Sequence, residues 1–119
     1  MTEKNKIAVV IYEPIPGDTS RVYRGLKTAA EFAAAGDDVV VLFDGAGVEA
    51  LAAVSDPSSP MHALIGGIRP TVLGACKFCA TSHKVRDRIE EAGWALIDDN
   101  AGEASIRDLV NQGRQVLNF

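Results

Sequence analysis

The sequence contains only two cysteines and one tryptophan, and no proline follows Pro70. Two cysteines spaced C-x-x-C do not provide the multiple-disulfide framework that stabilises small secreted domains. A membrane-spanning helix needs about 20 apolar residues, and apolar runs such as residues 7–12 are far shorter. The residues before that run carry no small-residue cleavage site typical of a signal peptide. We therefore expect a cytoplasmic protein without a membrane segment.

Length, composition and charge restrict the class of protein further. A chain of 119 residues is long enough for one hydrophobic core, which predicts a single domain over residues 1–119. The apolar fraction of 47% and the charged fraction of 24% are ordinary for a globular protein. The net charge of −4 gives no indication of nucleic-acid binding.

Strand-like and helix-like segments alternate along the chain. Short β-branched runs predict buried strands, and apolar residues at helical spacing predict the helices between them. The predicted strands cover residues 7–12, 38–43, 71–75, 94–97 and 115–119. The predicted helices cover residues 20–35, 48–54, 60–64, 103–112 and a longer segment from the cysteines to about residue 91. This order predicts an α/β domain, with a five-stranded, mainly parallel, doubly wound sheet and helices on both faces.

Cys76 and Cys79 lie where the third predicted strand gives way to a helix. The N–H groups of a first helical turn lack partners within the helix, and the helix dipole is positive there. A thiol in that position is shifted toward thiolate, the form that attacks sulfur and binds metal. Parallel sheets also collect reactive groups at the carboxyl ends of their strands, where we expect Cys76, Glu13 and Asp44. Cys76 is the predicted nucleophile and Cys79 a resolving or auxiliary thiol.

His83 and a group of basic residues follow the cysteines. In a continuous helix, His83 shares a face with Cys79 and can orient or protonate a departing thiolate, although a surface histidine fits the pattern equally well. Residues 69–88 have a local net charge of +4, so the rest of the chain has −8. The basic residues of this segment are Arg69, Lys77, Lys84, Arg86 and Arg88. They form either a solvated face or a cationic patch that stabilises a thiolate and docks an acidic partner.

Other uses of the cysteine pair have less support. Thioredoxin-like domains carry C-x-x-C early in the chain and face it with a later cis-proline, whereas here the motif lies two-thirds along and no proline follows. A zinc site of Cys76, Cys79, His83 and His62 lacks the second closely spaced pair of ligands that zinc motifs use. The glycine turn at residues 44–47 lacks a full phosphate-binding pattern. We therefore predict no cofactor and no metal, with two buried core cysteines as the structural alternative.

Several stretches together resemble the DsrE/DsrF-like family, which includes TusD-type and YchN-type proteins. Residues 42–45, with a valine shortly after, are similar to the second strand and turn of that family. Cys76 lies where the family has its sulfur-carrying cysteine, and the C-x-x-C form is similar to that of YchN-type members. Residues 104–116 resemble the family's final helix, glycine and strand. His83 and Lys84 differ, because many members have an arginine there.

The resemblance implies a small α/β sandwich that assembles as a homo-oligomer, a trimer or hexamer, and carries persulfide sulfur on Cys76. The expected function is intracellular sulfur relay between a donor and an acceptor protein, with Cys79 as the auxiliary or resolving thiol. Two alternatives remain open: a thiol/disulfide redox or regulatory module without sulfur transfer, and a non-catalytic oligomer whose cysteines bridge a metal. The expected site residues are Cys76, Cys79 and His83.

Overall fold

The computed structural model describes residues 4–119. Residues 1–3 of the predicted domain, where the sequence predicts no signal peptide, lie outside the described residues. The strands are β1 (Lys6–Ile11), β2 (Asp38–Phe43), β3 (Val72–Cys76), β4 (Leu96–Ile97) and β5 (Gln115–Asn118). The helices are α1 (Thr19–Ala34), α2 (Gly47–Val54), α3 (His62–Gly67), α4 (Lys77–Ser82), α5 (Arg86–Glu91) and α6 (Ile106–Asn111). The five strands form one parallel sheet in the order β4-β3-β2-β1-β5, which confirms the predicted α/β fold.

The two faces of the sheet carry hydrophobic cores of different size. Side chains alternate between the faces along a strand: Ile7, Val9 and Ile11 of β1 belong to the larger core, and Ala8 and Val10 to the smaller. The larger core also contains buried side chains from α1 to α5. The smaller core has a single buried helical residue, from α6. Helices therefore cover both faces, as predicted, but very unequally.

The order of the strands explains this division. β1, β2, β3 and β4 lie side by side in chain order, so right-handed crossovers place α1 to α5 on one face. The connection from β4 to β5 returns across the whole sheet and places α6 on the opposite face. The chain therefore leaves β3 and β4 toward opposite faces. A crevice forms between the carboxyl ends of such strands, and doubly wound sheets bind their ligands there.

The helix predicted to continue from the cysteines to residue 91 is interrupted at Lys84. Its backbone has φ of +60°, and the chain there divides into α4 and α5. The Val85 N–H bonds to the Ala80 carbonyl and the Lys84 N–H to the Thr81 carbonyl, the Schellman arrangement that ends a helix. Val85 and Ala80 are both buried in the larger core, which stabilises the turn. Burial of Val85 thus outweighs the strain at a lysine, where glycine is usual.

Gly74 allows β3 and β4 to approach each other closely. Its φ is +136°, and a Cβ built on it would lie 2.1 Å from the Ala95 carbonyl oxygen. The Ala75 N–H donates to this same carbonyl at 3.0 Å. β3 also has an irregular register against β2 at this point. The backbone of β3 is therefore shaped by one glycine, two residues before the first cysteine.

Two other predictions of element boundaries are wrong by a few residues. Ser59 does not cap a helix starting at residue 60; its hydroxyl accepts from the Met61 N–H at 3.2 Å, and α3 begins only at His62. Trp94 does not begin the fourth strand, because its ring is buried and its Nε1–H donates to Ser55 Oγ at 2.7 Å. Over residues 4–119, no helix has the length and apolarity needed to cross a membrane.

Candidate functional site

Cys76 ends β3 and lies at the crevice between β3 and β4. The loop from β4 to α6 covers it, and the Ala104 N–H donates to the Cys76 Sγ at 3.4 Å. The Phe78 N–H donates to the Gly102 carbonyl at 3.2 Å, which attaches the same loop to the first turn of α4. Only 1% of Cys76 is exposed. The predicted nucleophile is therefore at the predicted position, but it is enclosed.

Cys79 lies in the first turn of α4 and faces the carboxyl end of β2. Its thiol donates to the Asp44 Oδ1 at 3.5 Å. The two sulfurs and an Asp44 carboxylate oxygen all lie within 4.8 Å of one another. Both cysteines are free thiols, Cys76 buried and Cys79 partly exposed. The structure therefore brings Cys76 and Cys79 together and adds a carboxylate to them.

The turn after β2 positions this carboxylate. The Asp44 N–H donates to the Ile11 carbonyl at 3.0 Å, and the Gly45 N–H donates to the Asp44 Oδ1 at 2.8 Å. Gly47 packs directly on β1, where an added Cβ would lie 1.9 Å from the Ile11 carbonyl oxygen. The glycines therefore make a tight turn that holds the Asp44 side chain toward the cysteines.

The acidity of Cys79 differs from the prediction. Burial, followed by its hydrogen bond to Cys76 and the charge of that sulfur, raises the pKa of the Cys79 thiol to about 12. The shift toward thiolate is therefore not found at Cys79, because burial and then the neighbouring sulfur and carboxylate outweigh the N-terminus of the six-residue helix α4. At neutral pH Cys79 keeps its proton and acts as a donor. Of the two cysteines, Cys76 remains the candidate nucleophile.

Tyr12 adds a phenol to this edge of the sheet. It follows β1, and its ring packs against Gly45. Partial burial, and then the charges of Asp44 and Cys79, raise the pKa of the Tyr12 hydroxyl. Tyr12 is not among the site residues that the sequence predicts. The signal for Tyr12 in the sequence is its position at the end of the first predicted strand, where parallel sheets collect functional side chains.

His83 is directed away from the sulfurs. Its Nδ1 lies 2.6 Å from Glu49 Oε2 on α2, so the pair connects the end of α4 to α2. In residues 4–119 the imidazole forms no hydrogen bond to Cys76 or Cys79. The break at Lys84 comes after His83, whose N–H still donates to the Cys79 carbonyl at 2.8 Å, so the contact with Glu49 is what holds the imidazole apart from the sulfurs.

The basic residues of the segment 69–88 do not gather around the sulfurs. Arg69 precedes β3 at the opposite end of the strand, where its guanidinium lies 4.0 Å from the Trp94 ring centroid. Arg86 pairs with Glu90, Arg88 donates to the Ala52 carbonyl, and Lys77 pairs with Asp98. The predicted cationic patch is therefore wrong as a description of the site, because the charges are distributed along and around β3.

Comparison with known proteins identifies a similar fold and assigns no function. No family model matches the chain, and no curated protein matches it significantly. The structure is similar to that of a conserved protein of unknown function from Bacteroides thetaiotaomicron, with a TM-score of 0.71 over 97% of this chain and 95% of that chain. The sequences are 14% identical over this match, so the likeness establishes the shared α/β fold alone.

Proposed function

We propose that the protein is a sulfur carrier that holds sulfane sulfur as a persulfide on Cys76, as DsrE/DsrF-like proteins do. One observation carries the proposal: Cys76 Sγ lies at the crevice between β3 and β4, with a backbone N–H at 3.4 Å and a second thiol within 4.8 Å. An N–H donor stabilises negative charge on sulfur. The Cys79 thiol, which donates its one proton to Asp44 Oδ1, lies beside the same sulfur.

The loading step follows from sulfur chemistry. The Cys76 thiol gives its proton to solvent, and the thiolate attacks the outer sulfur of thiosulfate or a sulfur atom of a polysulfide. A bond from Cys76 Sγ to that sulfur forms while the bond to the leaving group breaks. With thiosulfate, sulfite departs with the electron pair, so the cysteine gains one sulfur atom and charge is conserved.

Release of the sulfur takes one of two routes. The thiolate of an acceptor attacks the outer sulfur and regenerates the Cys76 thiolate, or Cys79 attacks Cys76 Sγ, forms a disulfide and releases hydrosulfide. The second route needs a Cys79 thiolate, and a pKa of about 12 makes that thiolate scarce at neutral pH. Cys79 is therefore an auxiliary thiol rather than an efficient resolving thiol, and the persulfide persists until an acceptor arrives.

Access to Cys76 requires the β4–α6 loop to move. This loop includes the turn closed between Asn100 and Glu103, and its Ala104 N–H contacts the sulfur. Phe78, between the two cysteines in the chain, is 58% exposed. An exposed aromatic ring beside a reactive thiol is suited to docking a donor or acceptor protein. We propose that such a partner displaces the loop as it binds.

The remaining parts of the proposal concern assembly and compartment. A homo-oligomer, trimer or hexamer, is proposed from the family resemblance, and sedimentation of the reduced protein tests it. Among the described residues, Leu73, on the face of the sheet with the smaller core, and Val110 on α6 are exposed apolar side chains that an oligomer would bury. The cytoplasm is the proposed compartment because a reducing environment maintains two free thiols.

Intact-mass spectrometry of the wild-type protein tests the proposal. We expect incubation with thiosulfate or polysulfide to add the mass of one sulfur atom per chain, and dithiothreitol to remove it. Protein incubated without a donor is the control. An unchanged mass after prolonged incubation with both donors contradicts the proposal.

A thiol/disulfide switch is the second candidate, favoured by the distance of at most 4.8 Å between the two sulfurs. In that case the same experiment gives the loss of two hydrogen atoms and no added sulfur. The high pKa of Cys79 argues against it, since disulfide exchange requires thiolate.

His83 supplies a further prediction. Because its imidazole contacts Glu49 and neither sulfur, we expect His83→Ala to change the rate of sulfur loading by less than about threefold, whereas loss of a general acid or base costs about 10²- to 10⁴-fold. Loading rates are measured by intact mass over time. Glu49→Ala is the matched control, because it removes the same contact and leaves the imidazole. A large loss with His83→Ala alone would restore a role in proton transfer.

A further inference from the structure

Three elements bring metal-binding atoms to one point. Asp44 follows β2, Cys76 ends β3 and Cys79 lies in the first turn of α4. Their two sulfurs and one carboxylate oxygen lie within 4.8 Å of one another, and Cys79 Sγ is 3.5 Å from Asp44 Oδ1. In residues 4–119 they are the only group of three or more such side chains this close together. Neither His83 nor His62 belongs to it.

The separations of these three atoms are close to the ligand spacing of tetrahedral zinc, and one of them matches it. Zn–S bonds of about 2.3 Å and Zn–O bonds of about 2.1 Å place sulfur about 3.6 Å from oxygen and about 3.8 Å from a second sulfur. The observed sulfur–oxygen distance of 3.5 Å is already close to this value. We infer that Asp44, Cys76 and Cys79 form a Zn²⁺ site within a single chain.

The chemistry of the three side chains selects the ion. A bound ion displaces the thiol protons into solvent, and the resulting two thiolates and one carboxylate favour Zn²⁺ over Mg²⁺ and Ca²⁺, which require oxygen ligands. Three protein ligands leave a fourth position for water or an exchangeable anion, as in zinc sites that are not purely structural. Tyr12, beside Asp44 and Cys79, borders the site.

Backbone donors hold two of the three ligands. The Gly45 N–H at 2.8 Å orients the Asp44 carboxylate, and the Ala104 N–H at 3.4 Å contacts the Cys76 sulfur. Such outer contacts fix the orientation of metal ligands and strengthen binding. The sequence predicts no zinc site because the spacing rule for zinc motifs covers neighbours in the chain, whereas Asp44 comes from an adjacent strand.

Zinc and persulfide exclude each other, because both use the electron pair of Cys76. This consequence rests on the proposed function, and it makes zinc an inhibitor of sulfur loading. The zinc site itself is independent of sulfur transfer, so its test contains no sulfur donor. A failure of sulfur loading would therefore leave the zinc result unchanged.

Equilibrium dialysis of the reduced, full-length protein against Zn²⁺, followed by elemental analysis, tests the inference. We expect one Zn²⁺ per chain. Loss of an outer contact alone costs about 10- to 100-fold in metal affinity, so we expect Asp44→Asn to weaken binding by at least about 100-fold. Asp98→Asn is the matched control, because Asp98 also directly follows a strand but lies outside the group. Circular dichroism verifies the fold of each variant.

Co²⁺ provides a second readout that needs no variant. The wild-type protein should show thiolate-to-cobalt charge-transfer absorption from two sulfurs and the intense visible bands of a tetrahedral ion. Absence of zinc binding would overturn the inference, and so would one Zn²⁺ per two chains, which indicates a metal bridging subunits. Equal affinity in Asp44→Asn and wild type would also overturn it, because the carboxylate would then not be a ligand.

Discussion

A Cys76→Ser protein is expected to gain no sulfur when it is incubated with thiosulfate or polysulfide. A serine hydroxyl stays protonated at neutral pH and does not attack sulfane sulfur, and burial, the largest cause of the raised pKa of Cys79, remains in this variant and keeps that thiol from replacing it. The expected effect is loss of loading to the level of the protein without donor. Intact-mass spectrometry over time measures it.

Cys79→Ser is the matched control for this experiment. A serine hydroxyl can still donate to Asp44 and leaves Cys76 and its Ala104 N–H donor unchanged, so we expect this variant to load one sulfur atom and to retain it. Both variants change one sulfur to oxygen in neighbouring side chains, which makes their effects on packing comparable. Full loading of Cys76→Ser, or loss of loading in Cys79→Ser alone, would transfer the carrier role to Cys79.

Gly74→Ala is expected to destabilise the fold severely. The added methyl would lie 2.1 Å from the Ala95 carbonyl oxygen, and an L-residue is strained at φ of +136°. Backbone strain and overpacking each cost about 1–3 kcal/mol, so we expect the free energy of unfolding to fall by about 3 kcal/mol or more. Chemical denaturation followed by circular dichroism measures the change.

Gly66→Ala serves as the control for this substitution. Gly66 lies in α3, and an added Cβ has no neighbouring atom within 4 Å. Alanine stabilises a helix by about 0.5–1 kcal/mol relative to glycine, so the free energy of unfolding should stay constant or rise slightly. A similar small effect of both substitutions would show that β3 and β4 tolerate a wider separation than the structure has.

The sequence predicts the sheet well because its strands are strongly patterned. The run 38–43 matches β2 residue for residue, since β-branched residues buried on both faces leave no alternative period. The prediction of one helix from the cysteines to residue 91 is less accurate. The helix is interrupted because Val85 packs into the core, which requires Lys84 to adopt a backbone conformation usual for glycine. Such a break results from tertiary packing, and no local pattern in residues 81–85 indicates it.

The site is only partly predictable for a related reason. Cys76 and Cys79 are recognisable from their spacing, and Asp44 is expected at a strand end. The contact of Cys79 with Asp44 depends on the register of β2 against β3. The donor to Cys76 is a backbone N–H that every residue except proline could supply at position 104. The raised pKa of Cys79 follows from these contacts. The long helix predicted from the sequence indicates the opposite, a lowered pKa for a thiol in its first turn.

Peptide mapping of the loaded wild-type protein tests the central claim most directly. Trypsin cleaves after Lys77, so Cys76 and Cys79 fall on separate peptides. After sulfur loading and alkylation of the persulfide, the additional sulfur should be found on the peptide that ends at Lys77. Additional sulfur only on the peptide that begins at Phe78, or on neither peptide, would contradict the assignment of Cys76 as the carrier.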